Sequence, residues 1–128
     1  MARIILDSGA VIALAAANPR MRQFMERAIR QRTTVVIPAV VTETTRGGPR
    51  DARVNRVIKN VSHVTPVTEE IAREAGRLLG SPGAPTATVG ALVVAEAGRG
   101  DAAVIVTGDV QDITALAAGY AHVRIYGV

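Results

Sequence analysis

The stretch Val104-Ile-Val-Thr-Gly-Asp109-Val-Gln-Asp112 is a β-branched run that ends in two carboxylates. Its composition predicts a strand, and the acids fall where the strand gives way to a helix. Near the start of the chain, Arg3-Ile-Ile-Leu-Asp7-Ser-Gly has the same arrangement. Ligands of open parallel sheets bind beyond the carboxyl ends of the strands, so we expect Asp7 and Asp109 to share one mouth of a sheet.

The composition indicates a single domain, residues 1–128, with an aliphatic core. Of the 128 residues, 48% are hydrophobic but only 2% are aromatic, which is typical of a sheet covered by helices on both faces. The absence of cysteine excludes disulfides and thiolate metal sites and is consistent with a cytoplasmic protein. We expect no secretory signal and no membrane-spanning segment, because no apolar run is long enough.

Strand and helix patterns alternate along the chain. Strands are predicted at 3–7, 33–37, 61–67, 102–107 and 122–126, the third at an edge because proline interrupts it. Helices are predicted at 8–17, 20–32, 39–46, 53–60, 68–79, 86–97 and 112–118. This alternation predicts an α/β fold, a three-layer α/β/α sandwich on a mostly parallel sheet.

Basic residues are concentrated in one part of the chain, which has a formal net charge of +4. Ten of the fifteen lysines and arginines lie between Arg20 and Lys59. Two interpretations stand: a solvated helix face, or contact with the phosphates of RNA. Under the second interpretation, the candidate RNA-binding residues are Arg46, Arg50 and Arg53.

Four acids stand out from the remainder, which fall on polar faces or turns. Asp7 ends an apolar strand, where burial of a carboxylate is costly unless a metal ion or hydrogen-bond donors compensate it. Glu43 lies on a semi-apolar helix that follows a strand and could point back to the same mouth. Asp109 and Asp112 flank a strand-to-helix turn. For each acid a structural role remains open: helix capping for Asp7, Asp109 and Asp112, and pairing with Arg46 for Glu43.

Acids converging from separate elements suit a carboxylate site for Mg²⁺ or Mn²⁺, of the kind that hydrolyses phosphodiesters. Competing chemistry is poorly supported. His63 and His122 are isolated, a cysteine nucleophile is lacking, and the glycine-rich phosphate loops and the nucleophile-elbow spacing are absent.

These features together resemble the PIN-domain ribonucleases, specifically the VapC toxins of bacterial toxin–antitoxin pairs. The resemblance runs through most of the chain in family order. Four passages carry it: Ile4-Ile-Leu-Asp7-Ser-Gly-Ala-Val-Ile-Ala-Leu14, Ile37-Pro-Ala-Val-Val-Thr-Glu43, Gly90-Ala-Leu-Val-Val-Ala-Glu-Ala97 and Ile105-Val-Thr-Gly-Asp109-Val-Gln-Asp112-Ile.

The resemblance implies a PIN fold, Mg²⁺- or Mn²⁺-dependent endoribonuclease activity, a VapB-like antitoxin partner and a homodimer. It also implies roles for particular residues. Asp7, Glu43 and Asp109 would be catalytic and metal-binding, Asp112 a further metal ligand, and Thr107 and Ser8 supporting residues.

Gly90 departs from the family pattern, in which an acidic metal-site residue begins the helix motif. Glu96 is not expected to replace it, because six residues along a helix rotate by about 240°. Glycine within a helix also costs about 1 kcal/mol relative to alanine. Three explanations are open: a natural degenerate binder, an introduced or selected inactivating change, or a metal held by the remaining acids with reduced activity.

Two alternatives to an active ribonuclease remain. One is a catalytically inactive PIN-like protein that binds an antitoxin or RNA, and the other is a receiver- or flavodoxin-like binding domain. Apolar residues between Ile71 and Leu79 and in the preceding helices exceed the apparent needs of one small sheet. Two interpretations are open: an exposed apolar face that forms an interface and supports the predicted homodimer, or residues that all belong to the core.

Overall fold

The computed structural model describes residues 2–45, 47–61 and 63–128. Five strands form one sheet in which every paired strand is parallel. They are β1 Arg3–Leu6, β2 Thr34–Pro38, β3 His63–Thr65, β4 Ala103–Thr107 and β5 Val123–Gly127.

Helices fill the connections between the strands. They are α1 Ser8–Ala15, α2 Pro19–Arg30, α3 Ala39–Thr44, α4 Asp51–Asn60, α5 Glu69–Leu79, α6 Thr88–Gly98 and α7 Val110–Leu116, with a 3-10 turn at Gly48–Arg50. Helix α1 contacts α2 and α4, whereas α6 contacts α5 and α7, and both α1 and α6 contact β4. The sheet therefore lies between two helical layers, and the predicted three-layer α/β/α sandwich is confirmed.

The strand order is β3-β2-β1-β4-β5. The chain moves outward from β1 through β2 to β3, then returns to the other side of β1 with β4. In register, Leu6 of β1 pairs with Val106 of β4, so these two strands end together. The change of direction between β1 and β4 is a topological switch point, where open α/β sheets bind their ligands. The third strand lies at an edge, as its proline predicts.

The core is aliphatic, as the composition predicts. Its largest fully buried side chains include Ile5, Leu6, Ile37, Ile105 and Ile113. Strands β1 and β4 are almost wholly buried, which is the pattern of central parallel strands covered on both faces. Within the described residues, no helix is long and apolar enough to span a bilayer.

Several predicted boundaries were wrong by a few residues. The first helix ends at Ala15 rather than Ala17, and Ala17 adopts a φ of 58° that cannot continue a helix. The second helix ends at Arg30 for the same reason, since Arg32 has a φ of 55°. The last helix begins at Val110, two residues earlier than predicted.

The apolar residues of α5 do not form the exposed interface that was predicted from them. Ile71, Ala75 and Leu78 are 4%, 3% and 7% exposed. They pack within the protomer, where α5 lies against α6. The homodimer is therefore a prediction without this support.

Candidate functional site

A cavity of about 460 Å³ opens at the carboxyl ends of β1 and β4. Three segments form its wall: the beginning of α1, the beginning of α6 and the turn from β4 into α7. The lining residues are Asp7, Ser8, Gly9, Ala87, Thr88, Val89, Gly90, Gly108, Asp109, Asp112 and Ile113. Three of the four predicted acids therefore line one cavity at the switch point.

Asp7 is 8% exposed and lies directly after β1. Its Oδ1 accepts a hydrogen bond from the Ser8 amide at 2.8 Å, and its Oδ2 accepts one from Thr107 Oγ1 at 2.7 Å. The first of these bonds caps α1. Asp7 therefore has the capping role that the sequence left open, and it also lies in the cavity wall.

Thr107 links the two acidic segments. Thr107 is fully buried, and its hydroxyl donates a hydrogen bond to Asp7. The same hydroxyl accepts a hydrogen bond from the Asp109 amide at 2.9 Å. A hydroxyl can donate once and accept as well, so one side chain satisfies both neighbours. This contact joins residues 100 positions apart in the chain.

Asp109 and Asp112 occupy the turn at the beginning of α7. Asp109 is exposed and is the N-cap residue, but its side chain makes no capping hydrogen bond. Asp112 is half-buried in the first turn of α7. The predicted capping role is thus not performed by the side chain of Asp109, and Asp112 lies inside the helix rather than before it.

Glu43 is not among the residues that line the cavity. It is exposed on α3, and the neighbouring Thr44 provides the local contact with the site. Thr44 Oγ1 and Ser8 Oγ are 3.0 Å apart and share a hydrogen bond. Glu43 therefore lies directly before a residue that contacts the site, and its own part in the acidic cluster stays a prediction.

Gly90 lies in the cavity wall, in the first turn of α6. The helix begins at Thr88 rather than Thr86. Gly90 is therefore closer to the N-terminus of α6 than predicted, where glycine destabilises a helix less than it does in the interior. A Cβ atom at this position would lie 3.3 Å from Ile113 Cδ1 and 3.4 Å from Leu116 Cδ1. These are ends of flexible side chains, which need to move by only a few tenths of an ångström.

Glu96 lies away from the cavity, as the helical rotation predicts. It is 1% exposed, and its carboxylate forms ion pairs with Arg3 Nη1 at 3.2 Å and with Arg99 Nε at 2.8 Å. Arg3 also donates to the carbonyl oxygen of Glu96 at 3.0 Å. The i, i+3 spacing of Glu96 and Arg99 could have revealed part of this cluster, but the contact with Arg3 depends on the fold.

Of the predicted RNA-binding arginines, the two that the structure describes, Arg50 and Arg53, do not line the acidic cavity. Arg50 donates from Nε to the Thr45 carbonyl at 3.1 Å, and Arg53 lies beside a second cavity. Arg46, together with its predicted pairing with Glu43, lies outside the described residues. RNA contact by these side chains stays a prediction.

The second cavity is an apolar groove of about 380 Å³ between α1, α2 and α4. Its lining residues are Leu14, Ala15, Ala17, Met25, Ile29, Arg53, Arg56, Val57 and Asn60. Ile29 is 66% exposed, the largest exposure among the chain's exposed large hydrophobic residues in the described part. The sequence analysis did not find this groove, because the residues that line it come from three helices and meet only through the packing of those helices.

The acidic cavity offers oxygen donors suited to a hard divalent cation. Mg²⁺ is commonly held by one or two carboxylates, with water and substrate phosphates completing its shell. Asp7, Asp109 and Asp112 can supply such oxygens. However, no group of three histidine, cysteine or acidic side chains in the described part of the chain is arranged to hold a metal ion. The donor set thus fits a weakly held, hydrated cation better than a closed protein cage.

Two solved structures have the same fold over nearly the whole chain. One chain of the DNA-bound VapBC complex from Salmonella typhimurium matches with a TM-score of 0.70 and 17% identity, covering 99% of this chain and 98% of that one. One chain of VapBC2 from Rickettsia felis, bound to a promoter DNA fragment, matches with a TM-score of 0.70 and 13% identity, covering 100% and 99%. No family model and no curated protein sequence matches the chain. The predicted resemblance is therefore confirmed at the level of the fold.

Proposed function

We propose that this chain is a VapC-like toxin of a toxin–antitoxin pair, acting in the cytoplasm as a divalent-cation-dependent endoribonuclease. The observation that carries the proposal is the meeting of Asp7, Asp109 and Asp112 at the switch point of a fold shared with chains of VapBC complexes. Independent strands deliver the first two acids, so their meeting depends on the fold and not on local sequence.

Each part of the cavity has a defined task in this proposal. Asp7 and Asp109 hold Mg²⁺ or Mn²⁺ through their carboxylates, with Asp112 and Glu43 as further predicted ligands. Thr107 keeps the Asp7 carboxylate in one orientation through its 2.7 Å hydrogen bond. The cation would neutralise charge on an RNA phosphate and lower the pKa of an attacking water. Ser8 supports the wall through its contact with Thr44, and Arg50 and Arg53 are the described candidates for more distant phosphate contacts.

Gly90 leaves the wall without a carboxylate at the beginning of α6. Fewer negative oxygens bind the cation less tightly, so we expect weak cleavage by this chain. Aspartate at this lining position would bring a carboxylate to the cavity wall, and its Cβ atom requires only small movements of Ile113 and Leu116. We expect Gly90→Asp to cleave total RNA at least about tenfold faster, the lower end of the effect of groups that support a metal site.

The test compares RNA cleavage by the wild-type chain with that of Gly90→Asp, Gly90→Asn and Asp109→Asn, each with Mg²⁺ and with a chelator. Gly90→Asn is the matched control because it has the size of aspartate without its charge. We expect a gain only from Gly90→Asp and loss of activity in Asp109→Asn. Equal rates with and without the chelator, or full activity of Asp109→Asn, would contradict the nuclease proposal; equal rates for Gly90→Asp and wild type would contradict the role of Gly90.

A second candidate is a catalytically inactive PIN-like protein that binds an antitoxin or RNA. Two observations favour it: Glu43 lies outside the cavity, and the described residues contain no group of three ligands arranged for a metal ion. This candidate predicts that the chain binds its partner but cleaves no RNA, even when Gly90 is replaced by aspartate.

The partner that fits either candidate is a VapB-like antitoxin, and the apolar groove is the surface we assign to it. Most residues that line the groove are apolar, and Arg53 and Arg56 also line it. Such a surface suits an amphipathic segment with apolar residues on one face and acidic residues beside them. A homodimer formed elsewhere on the surface remains part of the proposal.

The groove is tested by coexpression with a VapB-like antitoxin, for which a small protein encoded next to this chain would be the candidate. Ile29→Glu places a charge in the groove and should prevent copurification of that protein. Val67→Glu is the control, since Val67 is 45% exposed and does not line the groove. Retention of the partner by Ile29→Glu would show that it binds another surface.

A further inference from the structure

The beginning of α1 and the turn before α7 meet backbone to backbone. The contact is between two glycines, Gly9 and Gly108. A Cβ atom at Gly9 would lie 2.8 Å from the Gly108 amide nitrogen and 3.0 Å from its Cα. Backbone atoms cannot rotate aside as a side chain can, so any larger residue would push the two segments apart.

The need for glycine here comes from space and not from backbone conformation. Gly9 is not among the residues with positive φ. In the first turn of a helix, alanine would otherwise be preferred over glycine. The steric contact and the helix propensity therefore act in opposite directions at this position.

Two of the hydrogen bonds that organise the acids cross the same junction: the Asp7 amide donates to the Val106 carbonyl at 2.9 Å, and Thr107 Oγ1 donates to Asp7 at 2.7 Å. A third bond lies within the turn before α7, where the Asp109 amide donates to the same Thr107 hydroxyl at 2.9 Å. The two glycines lie within two residues of these acids in the sequence. Added bulk between the segments would stretch the first two bonds directly and disturb the third through the shared Thr107 hydroxyl, and it would move the carboxylates relative to each other.

We infer that Gly9 is a positioning residue: its missing side chain lets the two segments touch, and this contact sets the spacing of the Asp7 and Asp109 carboxylates. The inference rests on the proposed function where it concerns cation affinity. The geometric part, the link between Gly9 and the Asp109 amide, stands without it.

The experiment compares Gly9→Ala with Gly76→Ala. Gly76 is exposed on α5, and an added Cβ there has no atom within 4 Å, so the same substitution meets no obstacle. Mn²⁺ affinity is measured by electron paramagnetic resonance, and the protection of the Asp109 amide by hydrogen exchange. We expect Gly9→Ala to weaken Mn²⁺ binding and to lower Asp109 protection, each by about tenfold, and Gly76→Ala to change neither.

Gly108→Ala gives a second comparison across the same junction. Its Cβ would lie 3.6 Å from Gly9 Cα, an ordinary contact, so its effect on Asp109 protection should be smaller than that of Gly9→Ala. An equal effect would overturn the inference, because added bulk at either glycine would then act alike. Global unfolding of Gly9→Ala would also overturn it, since the glycine would serve the fold as a whole.

The two proposals fail in different ways. If the wild-type chain binds no Mn²⁺, the proposed cation site is wrong, and Asp109 exchange alone decides the role of Gly9. If the wild-type chain binds Mn²⁺ and Gly9→Ala retains both that affinity and full Asp109 protection, the positioning role is wrong and the proposed function is unaffected.

Discussion

Two buried carboxylates, Asp7 and Glu96, lie near opposite ends of β1 and are stabilised in different ways. Glu96 is 1% exposed and forms ion pairs with Arg3 and Arg99. Asp7 is 8% exposed and receives one hydroxyl and one amide hydrogen bond. No ion pair involving Asp7 is found in residues 2–45, 47–61 and 63–128. Cationic side chains thus pair with Glu96, whereas the donors to Asp7 in the described residues are an amide and a hydroxyl, which is why Asp7 is the acid we propose as a ligand of an external cation.

The largest expected effect on stability is that of Glu96→Gln. Glutamine still offers an amide oxygen to Arg3 and Arg99 but removes the charge that pairs with both. The two arginine side chains are 19% and 48% exposed, so we expect a loss of about 2–3 kcal/mol of unfolding free energy, at or below the range for breaking a fully buried pair. Urea denaturation measures the loss. Glu69→Gln is the control, because Glu69 and Arg73 have side chains 80% and 79% exposed and such pairs contribute less than about 1 kcal/mol. Equal losses in the two variants would mean that the Glu96 cluster has no special role.

Thr107→Val should cost about 2 kcal/mol, because it leaves both Asp7 Oδ2 and the Asp109 amide without a partner. Thr107→Ser keeps the hydroxyl and removes only a methyl group, so its cost should be about 1 kcal/mol. Denaturation curves of the two variants measure the difference. If valine were tolerated better than serine, the bridging hydroxyl would not stabilise the acidic end of the sheet.

Asp7→Asn should change the unfolding free energy by less than about 1 kcal/mol when no divalent cation is present. Asparagine is also a good N-cap residue and still accepts a hydrogen bond through its side-chain oxygen. With Mg²⁺ added, the melting temperature of the wild-type chain should rise while that of the variant stays constant, because a ligand stabilises only the state it binds. A matching rise in both proteins would contradict cation binding by Asp7.

The smallest expected effect is a pH dependence of the unfolding free energy that comes from Glu74 on α5, away from both Asp7 and Glu96. Hydrogen bonds from Arg77 hold the pKa of Glu74 below its ordinary value of 4.5, although partial burial acts in the opposite direction. An acid with a lowered pKa contributes stability above its unfolded-state value, and this contribution disappears as pH falls through the folded value. Wild type should therefore exceed Glu74→Gln in stability at neutral pH by less than about 1 kcal/mol. This difference should shrink as pH falls below the ordinary pKa of 4.5 and disappear below the lowered folded-state pKa. Denaturation across this range measures it, and a difference that grows with acidity would contradict the assignment.

The fold and the cavity acids Asp7 and Asp109 could be predicted because each depends on short-range pattern and a general rule. Apolar runs marked the strands, and the carboxyl ends of neighbouring parallel strands share an edge. Glu43 could not be placed by the same reasoning. The direction of a side chain on a helix of six residues depends on how that helix packs, which its own sequence does not specify.

The other differences between prediction and structure also concern features that the local sequence does not show. Glu96 reaches Arg3 across 93 positions of the chain, and no local pattern links them. The apolar residues of α5 suggested an outer interface because the sequence does not reveal that α6 covers them. Predicted helix ends were too late at Ala17 and Arg32, where backbone conformation changes without a glycine or proline to mark it at the residue itself.

The pairing of β1 with β4 has a consequence for synthesis of the protein. Thr107 is synthesised 100 positions after Asp7, and Val106 and Thr107 are the partners of the Asp7 amide and Oδ2. A nascent chain that has not yet reached β4 therefore lacks both partners. The acidic cavity is consequently expected to form only after β4 has left the ribosome and paired with β1.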